Sequence, residues 1–337
     1  MQIKKWVMLL IMLPLISGCS SYVHKRFLES LYQDRLDTDG SFPSLVAKLE
    51  YNDKRQLLAV GRESGSIEVW DINKSRSKID IKAHEYPANM ITFASDGVTF
   101  FSGSTFERSA KIWNARTGKF LHKIRDMRGP VGATPDSDIF VIANGEQLRL
   151  FNLSRKSLLP GKYASSGTVT SMATDASSRL IAIGTENGFI EIWKYTESGK
   201  TEALEKVSSV RPYSSGDWVV GLQFSEDGSS LYSVARFGTI YEWDPGTLEK
   251  RRAVPTVLKH IYSTDFYREK NMLVLAGTEK MIGPGPSTVE VISLTRNESR
   301  VYQVETNLAR VEILPPLSAF VMVQGRTVNA FELPFRK

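Results

Sequence analysis

The chain has 337 residues, 42% hydrophobic and 24% charged, with 43 Lys and Arg against 37 Asp and Glu for a net charge of +6. That balance is ordinary for a globular protein and excludes a disordered chain, a collagen and a polytopic membrane protein. A single cysteine excludes an intramolecular disulfide and any CxxC zinc or redox motif.

The first element reads as an export signal. Lys4 and Lys5 precede an apolar run from Trp6 to Ile16, followed by the small residues Ser17 and Gly18 and then Cys19. Eleven residues of helix span about 16 Å, roughly half of a ~30 Å hydrocarbon core, so the run is short for a transmembrane helix. The stretch Ile16-Ser17-Gly18-Cys19 resembles a bacterial lipobox. The resemblance implies lipidation of the Cys19 thiol, cleavage before it, and acylation of the new amino terminus with a fatty chain such as palmitate. More than one acyl chain anchors stably where one alone is marginal. An ordinary signal peptide or short anchor with an incidental cysteine is the alternative. Ser20 after the cysteine implies, by resemblance to enterobacterial sorting, the periplasmic face of the outer membrane rather than the inner membrane. Removing the signal peptide, residues 1–18, leaves 319 residues with a net charge of +4.

Residues 19–43 form a lipidated N-terminal segment and connector. Within it, 22–32 (YVHKRFLESLY) reads as a strand that closes the last repeat or as a helix, and 37–44 (DTDGSFPS) as a turn-rich lead into the body.

The body, 44–337, repeats. Residues 57–73 (LLAVGRESGSIEVWDIN), 99–114 (TFFSGSTFERSAKIWN), 180–194 (LIAIGTENGFIEIWK) and 231–244 (LYSVARFGTIYEWD) share one pattern: alternating strand, small-residue turn, alternating strand, aromatic. Weaker copies lie at 140–152, 273–293 and 320–332. The aromatic or its substitute falls at Trp70, Trp113, Phe151, Trp193, Trp243, Val291 and Phe331, every 38–50 residues. Asn187-Gly188 is a hairpin signal, and no long helical period interrupts the series. Trp70-Asp71 and Trp243-Asp244 are full WD dipeptides. Over roughly 44–333 the chain resembles the WD-repeat family. The resemblance implies an all-β, seven-bladed WD-repeat-like propeller in which radial stacking buries both faces of every four-stranded sheet. An eight-bladed, quinoprotein-like propeller and a two-domain chain are the alternatives.

The search for catalytic chemistry is mostly negative. His24, His84, His122 and His260 lack partners at metal-ligand spacing, and the sequence contains no HExxH, GxSxG, phosphate-loop or EF-hand motif. His84 (KAHEYP) sits where the family has a structural histidine, which implies a buried network with a Ser or Thr and the blade tryptophan. Glu226 and Asp227 read as turn formers, and Trp218, outside the repeat position, as core more than rim. Lys250–Arg252 read as a solvated outer edge. The charge is too dispersed for nucleic acid.

In WD-type blades one end of the disc gathers the hairpins between second and third strands and the loops between blades. That places Arg62, Arg108, Arg128, Arg211 and Arg236 on one face with Tyr86, Phe106, Tyr213 and Phe237. Arginine and aromatics dominate protein interfaces, and the guanidinium fork suits carboxylates. Solvated loops with no partner are the competing reading. The expected function is a non-enzymatic, outer-membrane-anchored docking scaffold without cofactor or metal. Its partners would be envelope proteins with an acidic surface, in a secretion, pilus or assembly machine. A barrel-assembly accessory lipoprotein is the alternative. A propeller enzyme, a quinone-dependent dehydrogenase or a lactonase, is a third reading, for which Asp265 is the notable inner-strand candidate.

Overall fold

The computed structural model describes residues 45–72, 76–134, 138–175, 177–198, 201–280, 287–304, 309–324 and 327–335. Cys19, the lipobox-like residues 16–19, the segment 22–32 and residues 281–286 lie outside them. Among the described residues, helix is confined to short 3-10 turns such as Arg268–Lys270 and Pro315–Leu317.

The strands form seven antiparallel sheets, each an up-and-down meander in chain order. Blade 1 is β1 (Val46–Asn52), β2 (Leu57–Arg62), β3 (Ser66–Asp71) and β4 (Arg76–Lys82). Blade 2 is β5 (Met90–Phe93), β6 (Thr99–Ser104), β7 (Ser109–Asn114) and β8 (Phe120–Arg125). Blade 3 is β9 (Val131–Ala133), β10 (Ile139–Asn144) and β11 (Gln147–Asn152), with its outer position split between β12 (Ser157–Leu158) and β13 (Tyr163–Ala164). Blade 4 is β14 (Val169–Asp175), β15 (Leu180–Thr185), β16 (Ile190–Ser198) and β17 (Thr201–Val210). Blade 5 is β18 (Val219–Phe224), β19 (Leu231–Ala235), β20 (Ile240–Trp243) and β21 (Lys250–Val254). Blade 6 is β22 (His260–Tyr267), β23 (Met272–Thr278), β24 (Ser287–Ser293) and β25 (Glu298–Val304). Blade 7 is β26 (Ala309–Leu314), β27 (Ala319–Gln324) and β28 (Thr327–Glu332), three strands among the described residues. The eight-bladed and two-domain readings are thereby set aside.

The register repeats with the sequence. Each repeat aromatic or its substitute faces an apolar residue of the second strand: Trp70 opposite Leu58, Trp113 opposite Phe100, Phe151 opposite Phe140, Trp193 opposite Ile181, Trp243 opposite Leu231, Val291 opposite Val274 and Phe331 opposite Phe320. In blades 1, 2, 4 and 5 the pairing of third to fourth strand shifts register next to the tryptophan. Blade 6, with Val291 in that place, pairs without a shift. The bulge follows the bulky indole, and a bulge sharpens local twist.

The second strands are buried on both sides, as in the unbroken burial of β6, β19 and β23. Sandwiched strands read as continuous apolar runs rather than alternation. The core divides into seven clusters, one at each junction of neighbouring blades. The last joins Leu58, Val60 and Trp70 of blade 1 to Leu314 and Val321 of blade 7, which closes the ring.

Hydrogen bonds across the inner strands complete the closure. The Tyr51 amide donates to Glu312 Oε1 (2.6 Å), tying blade 1 to blade 7, and the Ile313 amide donates to Asp265 Oδ2 (2.6 Å), tying blade 7 to blade 6. Asp265, the inner-strand carboxylate singled out in the sequence, is therefore a staple between blades. Burial pushes its carboxyl up to about 6 against the pull of the Ile313 and Phe266 amides. Burial and the charge of Asp265 push Glu312 well above the carboxylate range. Burial also opposes the charge on Lys48, but Glu50, 3.0 Å away, and Glu312 outweigh it and hold the ammonium above its ordinary range.

Candidate docking face

Buried polar networks position the loops at one end of the disc. In blade 2 the Trp113 indole N–H donates to Ser102 Oγ (2.8 Å), and Ser102 pairs with His84 Nε2 (2.7 Å). His84 Nδ1 meets Glu107 Oε2 (2.8 Å), whose other oxygen accepts the Glu85 amide (2.5 Å). The one assignment that serves every group is a neutral imidazole with its proton on Nδ1. Burial keeps His84 below its usual range despite Glu107. His84 thus has the structural role implied by its place in the repeat, and it pins the inter-blade loop to the hairpin carrying Phe106.

Other blades solve the same problem differently. In blade 5 Tyr213 replaces the histidine: its hydroxyl meets Ser233 Oγ (2.5 Å), which accepts the Trp243 indole N–H (2.8 Å). In blades 1 and 4 the tryptophan donates to a glutamate two residues earlier, Glu68 or Glu191, at 2.9 Å. Glu191 is wholly buried and also binds Ser166 and Lys206.

The hairpins and inter-blade loops share one end, as expected. The Ala88 amide donates to the Arg62 carbonyl, Met127 to Arg108, and Ile261 to Arg236. Tyr86 (50% exposed) and Phe106 (66%) stand 6.0 Å apart there. Arg108 and Arg128 are exposed, and among the described residues neither side chain has an ion-pair partner. Arg211, also exposed, donates from Nε to the Asn187 carbonyl (3.1 Å) and lies 5.3 Å over the Phe189 ring.

No family model matches the chain. It is 24% identical to the pre-rRNA-processing protein crb3/ipi3 of Schizosaccharomyces pombe over 183 residues, 48% of this chain and 41% of that protein. Identity to the WD repeat-containing protein srw1 of the same yeast is 24% over 172 residues, 49% of this chain and 31% of srw1. Human apoptotic protease-activating factor 1 is 25% identical over 206 residues, 60% of this chain and 13% of its own. The chain spans less than half the length of these relatives. The β-propeller domain of Cps50 (Swd1) from Myceliophteria thermophila superposes with a TM-score of 0.70 at 16% identity, covering 86% of this chain and 96% of that domain. At that identity the likeness is one of fold.

The chain is a seven-bladed β-propeller.

Two of the side chains singled out in the sequence do not serve the face of this propeller. Arg62 turns back to Glu68, with Nε and Nη2 both 2.7 Å from Oε1 and only 15% of its side chain exposed. The glutamate that holds the Trp70 indole occupies its fork. Tyr213 is 5% exposed, spent on Ser233 and stacked on Tyr241 at 5.5 Å. Its place after an inter-blade Arg-Pro made it look like a surface aromatic, but it fills the histidine position of its blade.

Trp218 departs from expectation in the opposite sense. It is 42% exposed at the rim, beneath the Arg236 guanidinium at 5.3 Å. The neighbouring Phe237 is 41% exposed, with Arg236 5.7 Å over its ring. His260, absent from the sequence-based set, accepts the Arg236 Nε–H at Nε2 (2.7 Å). Burial and the Arg236 charge hold its imidazole below the usual range. The sequence signal for this cluster was the departure of Trp218 from the repeat position.

The remaining polar candidates of the propeller are structural. Asp227 accepts from Ser225 and Ser229, contacts that hold its carboxyl down to about 2 in a turn. Lys250–Arg252 lie on the outer strand β21, where Arg252 clips blade 5 to the Leu294 carbonyl of blade 6 (2.6 Å). Among the described residues no group of three His, Cys, Asp or Glu could hold a metal ion, and no helix is long and apolar enough to cross a membrane.

Proposed function

We propose that this propeller is a non-enzymatic docking scaffold, held by acylated Cys19 at the periplasmic face of the outer membrane, that seats envelope proteins with acidic surfaces on its loop-bearing end. The carrying observation is where large apolar side chains meet solvent. Among the described residues, Leu45, Tyr86, Phe106, Trp218, Phe237 and Val257 are exposed at that end. Phe120, Leu158, Val207 and Val301 are exposed on the outermost strands, and none of the exposed large hydrophobics lies on the loops of the opposite end. An exposed apolar set rimmed by arginines is the composition of a protein interface. WD-type propellers generally mediate protein–protein interactions. The lipobox residues 16–19 support the anchor and the export.

Two measurements test the reading. Mass spectrometry of the purified mature protein should find an acylated Cys19 as the first residue; an unmodified Cys19 removes the anchor. Crosslinking in envelopes should recover specific neighbours of the intact protein, and the Arg108→Glu/Arg236→Glu variant should lose them. The same neighbours in the same amounts would remove the docking face.

A further inference from the structure

Resting on that docking reading, we propose that Arg236, Trp218 and Phe237, at the junction of blades 5 and 6, form a receptor for a peptide aspartate or glutamate flanked by an apolar side chain. The cation is fixed on three sides. Its Nε–H is spent on His260 Nε2 at 2.7 Å, and its guanidinium lies 5.3 and 5.7 Å over two rings that are themselves about two-fifths exposed. The frame beneath is rigid. The Arg236 amide donates to the Trp218 carbonyl (2.8 Å), the Arg236 carbonyl accepts from Ile261 (2.7 Å), and His260 packs edge-on against Tyr262 at 4.7 Å.

Among the described residues the two Nη groups of Arg236 meet no protein acceptor. The nearby acid, Asp217, is 7% exposed and accepts the Phe237 amide (2.9 Å). It forms no ion pair with Arg236. A guanidinium whose Nε is committed offers its Nη pair as a fork, and a fork matches the two oxygens of a carboxylate. The flanking rings supply apolar contact for the neighbouring side chain and exclude water from the pair. A phosphate group calls for several converging cations, whereas one guanidinium is centred here. Tyr86 and Phe106, another aromatic pair on this face, have no cation over their rings among the described residues and serve as the internal control.

The test uses the intact protein in detergent, labelled with 5-fluorotryptophan and followed by fluorine NMR. The Trp218 signal is assigned by its loss in Trp218→Phe. The probes are the capped peptides Gly-Phe-Glu-Phe-Gly and Gly-Phe-Gln-Phe-Gly. The glutamate peptide should shift the Trp218 signal saturably, with the glutamine peptide at least about tenfold weaker, the usual cost of exchanging a charged hydrogen-bond partner for a neutral one. Arg236→Gln should abolish the shift and Arg236→Lys, which keeps charge without the fork, should weaken it. Tyr86→Ala should leave it unchanged. Unmoved signals of the buried Trp70, Trp113, Trp193 and Trp243 verify that each variant is folded. Equal response to both peptides, no response to either, or wild-type response in Arg236→Gln overturns the proposal. The crosslinking experiment separates the two failures. Neighbours lost on Arg108→Glu but kept on Trp218→Ala leave the docking face standing without this receptor, while neighbours kept in both remove the face itself.

Discussion

Ser102 shows what a single small side chain does in this protein. Its hydroxyl accepts from Trp113 and completes the valence of His84, and His84 in turn holds Glu107. Deleting one member strands the others in a buried site, which costs more than the bond itself. His84→Ala should therefore destabilise the fold by about 2–3 kcal/mol, read as a fall in the urea midpoint. Trp193→Phe should cost about 1–2 kcal/mol by removing one donor from wholly buried Glu191. Unchanged midpoints would mean that these networks are ornaments of the fold and not its supports. His84 also sets a pH response. Its folded pKa lies below the unfolded value near 6.5, so its contribution to stability is full above that pH and is lost as pH falls through the folded value.

At the scale of the hairpin, the turn between β15 and β16 shows how loops are brought together. Gly188 has φ +85°, and a Cβ there would lie 2.6 Å from the Tyr213 carbonyl of the adjoining inter-blade loop. Gly216 has the same φ with nothing within 4 Å. Gly216→Ala should cost only backbone strain, about 1–2 kcal/mol. Gly188→Ala should cost clearly more, because hairpin and loop must separate. Thermal unfolding of the two variants measures the difference directly. Equal melting temperatures would mean that the loops of this face are not packed as tightly as the backbone contact implies. The Asn187-Gly188 turn was legible in the sequence as a hairpin. Its second duty, close approach to another loop, was not, because that contact joins segments about 25 residues apart in the chain.

At the scale of the whole molecule, closure distinguishes this ring from a row of sheets. Blade 7 is held by apolar packing on both flanks and by two carboxylates, Asp265 and Glu312, at the inner strands. Both have folded pKa values above the ordinary carboxylate range of about 4. The native state therefore holds protons that the unfolded chain has released. The contribution of Asp265 is greatest below about pH 4 and is lost as pH rises through about 6, and that of Glu312 changes in the same direction. The denaturant midpoint of Asp265→Asn should decline less between pH 4 and 7 than that of the wild type. An identical decline would remove these staples from the pH response. The two flank clusters also predict that ending the chain after Val304 exposes apolar surface on blades 1 and 6. Such a chain should aggregate or lose its single cooperative unfolding transition, measured by calorimetry beside the full protein.

The sequence by itself determined the period and the strand pattern, and the structure fixed the number of blades at seven. A repeat buries its own aromatic at a fixed register, and that register is written locally in alternation and turn residues. The resemblance to WD repeats implied the structural network of His84 and the gathering of the arginine-bearing loops at one end. What the sequence could not decide was the direction in which each loop side chain turns. Arg62 ends β2 and Arg236 is the first residue after β19, yet one folds back on Glu68 and the other lies over two exposed rings. Tyr213 and Trp218, five residues apart, exchange the roles that composition suggests. Those choices were made by the tertiary structure, because the atoms that decide them, the Glu68 carboxylate, the Ser233 hydroxyl and the His260 imidazole, reach each site from another strand or the neighbouring blade. Strand pairing within a blade and the packing of one blade on the next bring them within hydrogen-bonding distance.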